Sequence, residues 1–267
     1  MAATADDTAE HSDPARAATR PHRRGRGGSG GGIAAAVSLL GELLITVGLV
    51  LGLFVVYSLW WTNVIADRAA DRQADKVRRQ WAQGGGTGGG AGSDGSGKAT
   101  GPGALDTGKG IGFLHVPAMG GGEVLVEKGT SAAVLNDGVA GYYTEPVKAV
   151  LPTSGKKGNF TLAAHRDGHG AKFHNIDRLE KGDPIVFETK DRWYVYKVYA
   201  ILPETSKYNV DVIDRIPRES GRSEAGHYIT LTTCTPVYTS RYRYVVWGEL
   251  DRVEKVDGAR TPPKELR

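Results

Sequence analysis

Trp193-Tyr-Val-Tyr-Lys-Val-Tyr199 is the most informative stretch for the fold, because six of its seven residues are aromatic or β-branched. Residues of these types favour strands, where successive side chains point to opposite faces. The stretch therefore predicts a long strand that packs on both of its faces.

Similar short runs occur on either side of it, separated by Gly, Pro and Asp as in Lys181-Gly182-Asp183-Pro184. With 193–202 included, the predicted strands are 111–116, 123–126, 160–164, 185–189, 193–202, 228–233 and 243–250. Two other stretches, 131–135 and 173–179, are compatible with short helices. So many short strands predict a mainly β domain, built as a closed barrel or a sandwich.

The N-terminal region has a different composition. Residues 1–32 are polar, rich in Ala, Gly and Arg and without hydrophobic periodicity, which predicts a disordered arm. Residues 33–61 carry a single charge, Glu42, and end in Trp60-Trp61, residues typical of a membrane–water interface. Since about 20 apolar residues span a bilayer, we expect one transmembrane anchor here.

A cleavable signal peptide is the alternative to this anchor, but its apolar core would be shorter, roughly 7–15 residues. Trp60-Trp61-Thr62-Asn63 also lacks the small residues of a cleavage site. Arginines are densest before the span, which predicts a cytoplasmic N-terminus and an extracytoplasmic domain in the cell membrane. Glu42 either contacts a partner helix or, as we favour, lies at the cytoplasmic interface.

Four segments are expected after the anchor. Residues 62–83 form a charged juxtamembrane segment compatible with a helix, and 84–109 form a Gly/Ser-rich flexible linker. Residues 110–257 are long enough for one domain with a single core. Residues 258–267, which include Pro262-Pro263, are expected to be a frayed C-terminal tail.

Cys234 is the one cysteine of the chain, which excludes an intramolecular disulfide framework and a cysteine-cluster metal site. The net charge of +4 is too small to indicate a nucleic-acid partner. Cys234 ends a predicted strand just before Pro236, which stops the ladder, so its thiol is reachable by a substrate. A buried structural thiol is the alternative, since free cysteines are among the most buried residues.

A nucleophilic thiol needs a base or a cation beside it. His165 ends the run 160–165, so two strand ends at one rim would bring its imidazole to Cys234. Arg243 begins the last predicted strand, nine residues after Cys234. A hairpin-like loop would return its guanidinium to the thiol, where it could stabilise an anion or hold a carbonyl. A surface ion pair is the alternative for Arg243.

A zinc site is a second interpretation of the same region. His165 and His169 have the spacing of two ligands on a helix, and His174 could supply a third. Gly168 and Gly170 indicate a loop instead, and no carboxylate or cysteine stands at helical spacing. We therefore predict no metal and no cofactor.

Taken together, these motifs resemble those of the sortase family, and most closely its class E from high-GC Gram-positive bacteria. The motifs are Thr230-Leu-Thr-Thr-Cys234, Arg243-Tyr-Val-Val, Leu-Ala-Ala-His165-Arg, the segment 173–184 and the apolar anchor. Ala164 departs from the Gly that sortases often carry before His, and Asp167-Gly-His-Gly170 is a loop of its own.

The resemblance implies a closed eight-stranded β-barrel with the site on its rim. It implies that the Cys234 thiolate attacks the Thr–Gly carbonyl of a C-terminal LPxTG- or LAxTG-type sorting signal, and that His165 protonates the leaving Gly amine. Arg243 would bind the substrate backbone or the oxyanion, and an amine of a peptidoglycan precursor would resolve the thioacyl intermediate. Thr233 and Tyr143 are further candidates for substrate contacts, with core packing as the alternative for Tyr143.

Three functions follow for test. The first is this transpeptidase, whose partners are secreted proteins with a sorting signal, a cell-wall precursor amine and the membrane, with no nucleic acid. The second is a membrane-anchored cysteine peptidase with the same three residues, in which water replaces the amine. The third is a non-enzymatic cell-surface binding module with Cys234 buried.

Overall fold

The computed structural model describes residues 31–83, 110–120 and 122–267. The expected linker 84–109, and the expected arm apart from its last two residues, lie outside the described residues. By its internal contacts the chain divides into two compact units, one that ends at Gly52 and one that spans Leu53–Arg267.

The first unit contains the apolar beginning of helix α1 (Gly31–Gln83). Its large apolar side chains are exposed, Leu44 and Ile45 among them. Among the described residues, α1 is the one helix long and apolar enough to cross a membrane. Such exposure suits contact with lipid rather than with water.

The second unit is built around a closed barrel of eight strands, which confirms the predicted fold class. Their order around the barrel is β1-β2-β3-β4-β7-β8-β6-β5. The pairs β2/β3 and β4/β7 are parallel, and the other pairs are antiparallel. The strands are β1 (Gly110–His115), β2 (Glu123–Lys128), β3 (Ala140–Tyr142), β4 (Gly158–Ala163), β5 (Pro184–Glu188), β6 (Arg192–Ser206), β7 (His227–Thr235) and β8 (Tyr242–Lys255).

Strand β6 shows why the aromatic stretch is informative. Tyr194, Tyr196 and Val198 point into the main core of the barrel. Trp193 and Val195, on the other face, pack in a second apolar cluster outside it. The period-two alternation thus supplies both layers from one strand, as the sequence predicted.

Strand β3 is the one strand that the sequence pattern did not predict. It consists of Ala140-Gly-Tyr142, and Gly141 lies so close to Gly129 that a Cβ would meet its carbonyl oxygen. A three-residue strand that contains Gly has almost no β propensity, so neighbouring strands hold it in place. Of the two predicted short helices, α2 covers Ala132–Leu135, whereas 173–179 contains only a 3₁₀ turn at Ile176–Arg178.

The second half of α1 packs on the outside of the barrel. One face of it is buried along the residues Ala66, Ala70, Val77 and Trp81. Trp81 makes an edge-to-face contact with Phe113 of β1. Aromatic pairs of this kind add about 0.5–1.5 kcal/mol beyond the area that they bury.

The C-terminal segment 258–267 is packed, in contrast to the frayed end that its prolines suggested. Lys264–Leu266 form a 3₁₀ turn, and Leu266 contacts the apolar cluster around Trp193. Arg252 donates to Glu265 at 2.6 Å and so fastens the turn to β8. The ion pair and the packing of the partly buried Leu266 side chain outweigh the local preference of the prolines.

Candidate active site

The parallel pairing of β4 with β7 brings His165 to Cys234. The last paired residues of this ladder are Ala163 and Thr232, and two residues further along the two chain segments lie His165 and Cys234 respectively. Thr233 Oγ1 donates to the carbonyl oxygen of Ala164 at 2.7 Å and holds the two chain segments together there. Since neighbouring strands lie about 4.8 Å apart, the imidazole and the thiol share one rim of the barrel.

Arg243 reaches the same rim from β8. It is the direct cross-strand partner of Cys234 in the antiparallel pair β7/β8. Directly opposed residues point to the same face, with Cβ atoms about 4.5–5.5 Å apart. Its Nη1 donates to the carbonyl oxygens of Ser240 and Tyr242 at 3.1 and 2.9 Å, which orients the guanidinium. Cys234 and Arg243 are both partly exposed.

The imidazole of His165 is held by Asn136, the residue that follows α2. The ring Nε2–H donates to Asn136 Oδ1 at 2.9 Å, so that Nδ1 is the unprotonated nitrogen of the neutral ring. Burial and the neighbouring His169 lower the pKa of His165, and together they outweigh the opposite effect of Asp167. His165 is therefore neutral near pH 7 and can accept a proton.

The loop after His165 is tied to the end of the cysteine strand in two places. Arg166 is buried, and its guanidinium donates to Thr235 Oγ1 at 2.8 Å. Asp167 accepts a hydrogen bond from the backbone N–H of Tyr238 at 2.6 Å. These bonds join residues next to the imidazole to residues next to the thiol, so they fix the distance between the two groups.

The structure places the three histidines of the zinc interpretation, His165, His169 and His174, as follows. The rings of His165 and His169 lie 5.1 Å apart and are tilted by 31°. His174 Nδ1–H donates to the backbone oxygen of Arg166 at 2.8 Å. Through this bond, His174 stabilises the loop that follows His165.

Among the described residues, one other group brings possible metal-ligand atoms close together: His115, Glu123 and Glu188. Arg78 pairs with both carboxylates at 2.5 Å, and Arg260 also pairs with Glu188. Burial opposes ionisation of Glu188, but hydrogen bonds from His115 and the two arginines lower its pKa to about 2. The cations already neutralise the carboxylates, so the group is a salt-bridge network.

The two candidates for substrate contacts differ in their placement. The Tyr143 hydroxyl donates to Thr232 Oγ1 at 2.9 Å, and burial raises its pKa while Arg243 and Cys234 also act on it electrostatically. Thr232 lies two residues before Cys234 on the same face of β7, so the phenol is near the thiol and the guanidinium. Thr233 is 3% exposed, and its hydroxyl is bound to Ala164.

Asn136 and Arg166 are residues of the site that sequence reasoning missed. Asn136 is 29 positions from His165, and no local pattern links the two. The position of Arg166 directly after His165 was a signal for a role in the site, but nothing in the sequence shows that its side chain is buried. Only the barrel topology brings Asn136 to the ring and Thr235 to the guanidinium.

A partly exposed thiol, an adjacent neutral imidazole and a guanidinium on one barrel rim are the groups that acyl transfer through a cysteine nucleophile requires. The comparisons with known proteins agree with this class. Residues 114–251 match the family model for the sortase domain, and the chain belongs to the sortase family, in its class E. Sortases are cysteine transpeptidases, so the chain is an enzyme of this kind.

Two curated relatives come from Streptomyces coelicolor. The chain is 73% identical to its Sortase SrtE2 over 268 residues, which cover all of both chains. It is 42% identical to Sortase SrtE1 over 229 residues, which cover 85% of this chain and 61% of that protein.

Solved structures of class E sortases share the fold. The crystal structure of Sortase E1 from Streptomyces coelicolor with a tripeptide in its active site superposes with a TM-score of 0.56 at 43% identity. It covers 60% of this chain and 97% of that chain. Sortase E from Streptomyces avermitilis gives a TM-score of 0.52 at 35% identity, with the same coverage.

Because the chain belongs to a family of enzymes, the third predicted function, a non-enzymatic binding module, is excluded.

Proposed function

We propose that this sortase is a membrane-anchored transpeptidase that cleaves a C-terminal LPxTG- or LAxTG-type sorting signal between Thr and Gly. It then joins the new Thr carboxyl end to an amine of a cell-wall precursor through a thioacyl intermediate. The register of β4, β7 and β8 carries this proposal, because it aligns His165, Cys234 and Arg243 on one rim. The tripeptide bound in the active site of the related Sortase E1 supports a peptide substrate.

In the first half-reaction, His165 Nδ1 takes the proton of the Cys234 thiol, and the thiolate attacks the carbonyl carbon of the substrate Thr. Negative charge develops on the carbonyl oxygen, where the Arg243 guanidinium stabilises it. The imidazolium of His165 then gives its proton to the Gly nitrogen as the C–N bond breaks. The Thr acyl group remains on Cys234 as a thioester.

In the second half-reaction, an acceptor amine attacks the thioester carbonyl. His165 takes a proton from the attacking nitrogen and returns it to the Cys234 sulfur as the C–S bond breaks. The products are a new amide and the free enzyme. Water in place of the amine would give the peptidase reaction, so the two functions differ only in the acceptor.

The surroundings of the site indicate where the sorting signal lies. Tyr143 is bonded to Thr232 near the thiol, so we assign it a contact with the peptide, although its ring also packs against the cluster of Val245 and Trp247. Thr233 stays a prediction, and its buried hydroxyl favours a supporting role beneath Cys234. The flanking arginines of the apolar segment support a cytoplasmic N-terminus, and we propose an extracytoplasmic barrel on this basis. No cofactor or metal enters either half-reaction.

The test is turnover by the full chain in detergent micelles, with quenched LAxTG and LPxTG peptides, with and without an amine acceptor. We expect cleavage with ligation to the amine, and neither reaction with Cys234→Ala. Cleavage that an excess of amine does not divert to ligated product would favour the peptidase. Equal rates for the wild type and Cys234→Ala would contradict both.

A further inference from the structure

The second half of α1 lies against the residues that hold His165. Asn63 Oδ1 accepts a hydrogen bond from the backbone N–H of Gly170 at 3.0 Å. One turn further, Asp67 pairs with Lys172 at 2.8 Å. Gly170 and Lys172 belong to the loop that begins at His165, so two adjacent turns of the helix fasten this loop.

The same stretch of α1 also packs on the turn that carries Asn136. Gly138 has a φ of +74°, and a Cβ at this position would lie 2.9 Å from the carbonyl oxygen of Ala66. The turn therefore approaches the helix as closely as a backbone can. Asn136 is two residues before Gly138, and its side chain accepts the Nε2–H of His165.

The far end of this helical segment is anchored independently. The Arg78 guanidinium lies between Glu123 and Glu188 and stacks over the ring of Phe113, 3.9 Å from its centroid. Trp81 is buried against the same ring. A bidentate, partly buried arginine pair restrains a helix more strongly than a surface ion pair does. The segment 63–81 is thus held at both ends.

We propose that this docked segment of α1 positions the general acid–base His165, through the contacts of Asn63 and Asp67 with the loop 165–172 and of Ala66 with the Asn136 turn. The inference rests on the proposed function, because it concerns the imidazole that moves the proton. Asn63 and Asp67 are positioning residues that touch no substrate. Both belong to the same compact unit as the barrel.

The test compares full-length variants in the same micelles with the same peptide and amine. In the double variant Asn63→Ala/Asp67→Asn we expect kcat to fall about tenfold, since small displacements of a reacting group are costly. KM should stay at the wild-type value, because Asn63 and Asp67 do not touch the peptide. The rate of Cys234 alkylation should fall together with kcat, because a displaced His165 takes the proton of the thiol less readily. Asp71→Asn is the matched control on an exposed position of the same helix and should behave as the wild type.

A charge exchange separates positioning from a general loss of structure. Asp67→Lys and Lys172→Asp should each lower kcat, and the two together should restore much of it. A double exchange no more active than either single variant, or a wild-type kcat for Asn63→Ala/Asp67→Asn, would overturn the inference alone. A wild type as silent as Cys234→Ala would overturn the proposed function and this inference with it.

Discussion

At the scale of single residues, the chemistry depends on which groups carry protons at neutral pH. His165 is the residue whose state decides this, because burial and His169 lower its pKa below the ordinary 6.5. A depressed pKa keeps the ring neutral, and the hydrogen bond from Nε2–H to Asn136 leaves Nδ1 for the proton of the thiol.

We therefore expect kcat/KM to fall on the acid side with an inflection below pH 6.5. Protonation of Nδ1 removes the base, so activity is present above the depressed pKa and is lost as the pH falls through it. The measurement is a pH–rate profile of the free enzyme with a quenched peptide. An acid inflection clearly above 6.5 would contradict the role given to His165.

Asn136→Ala should lower kcat, because it removes the oxygen that accepts the Nε2–H of His165.

Arg243 gives a second prediction at this scale. Arg243→Lys keeps the positive charge but loses the planar fork, and we expect kcat to fall roughly 10²-fold, as for the loss of one oxyanion donor. Steady-state kinetics of the variant test this. Arg241→Lys, at an exposed position two residues before, is the control. If both substitutions had equally small effects on kcat, Arg243 would have no role in catalysis and the alternative of a surface ion pair would hold.

At the scale of elements, the β-ladders and the docked helix decide which side chains meet. The sequence predicted seven of the eight strands, because each has its own run of aromatic and β-branched residues. It could not predict β3, whose Ala-Gly-Tyr is held by its neighbours, nor the pairing of β4 with β7, which joins segments about 70 positions apart. The rim that collects His165 and Cys234 is a product of this long-range register.

The contact between α1 and the barrel leads to a prediction about stability. Glu188 has its pKa lowered from 4.5 to about 2, so its contribution is complete above pH 4.5 and is lost as the pH falls toward 2. Glu188→Gln should lower the melting temperature at pH 7, because the free energy of unfolding falls by on the order of 2–3 kcal/mol. This loss of unfolding free energy should shrink at low pH.

Thermal unfolding of the full chain in micelles at several pH values is the measurement. Glu249→Gln removes a more exposed pair with Arg222 and is the matched control, with an expected change of about 0–1 kcal/mol. A pH-independent loss for Glu188→Gln would contradict the salt-bridge network as the source of the stability.

At the scale of the whole molecule, an apolar helix and a catalytic barrel belong to one chain. Composition alone predicted the membrane segment, since 33–61 differ so sharply from their surroundings. Composition could not predict that the charged segment after it docks on the barrel. The helix face that makes this contact is narrow and rich in alanine, so it gives no strong apolar signal. Ala66 and Ala70 gain their significance only from the close approach of the barrel.

The orientation can be tested with the single cysteine of the chain. A membrane-impermeant maleimide added to intact cells should label Cys234, because the barrel is expected outside the membrane. Cys234→Ser gives the background. Labelling that occurs only after the cells are permeabilised would reverse the predicted topology.

The most direct test of the central claim is the intact mass of the full chain after incubation with a sorting-signal peptide. Without an acceptor, we predict an adduct on Cys234 with the mass of the peptide up to its Thr, joined as a thioester. Added amine should remove the adduct and yield the ligated peptide. Cleavage by Cys234→Ala at the wild-type rate, with no adduct on either chain, would contradict the account.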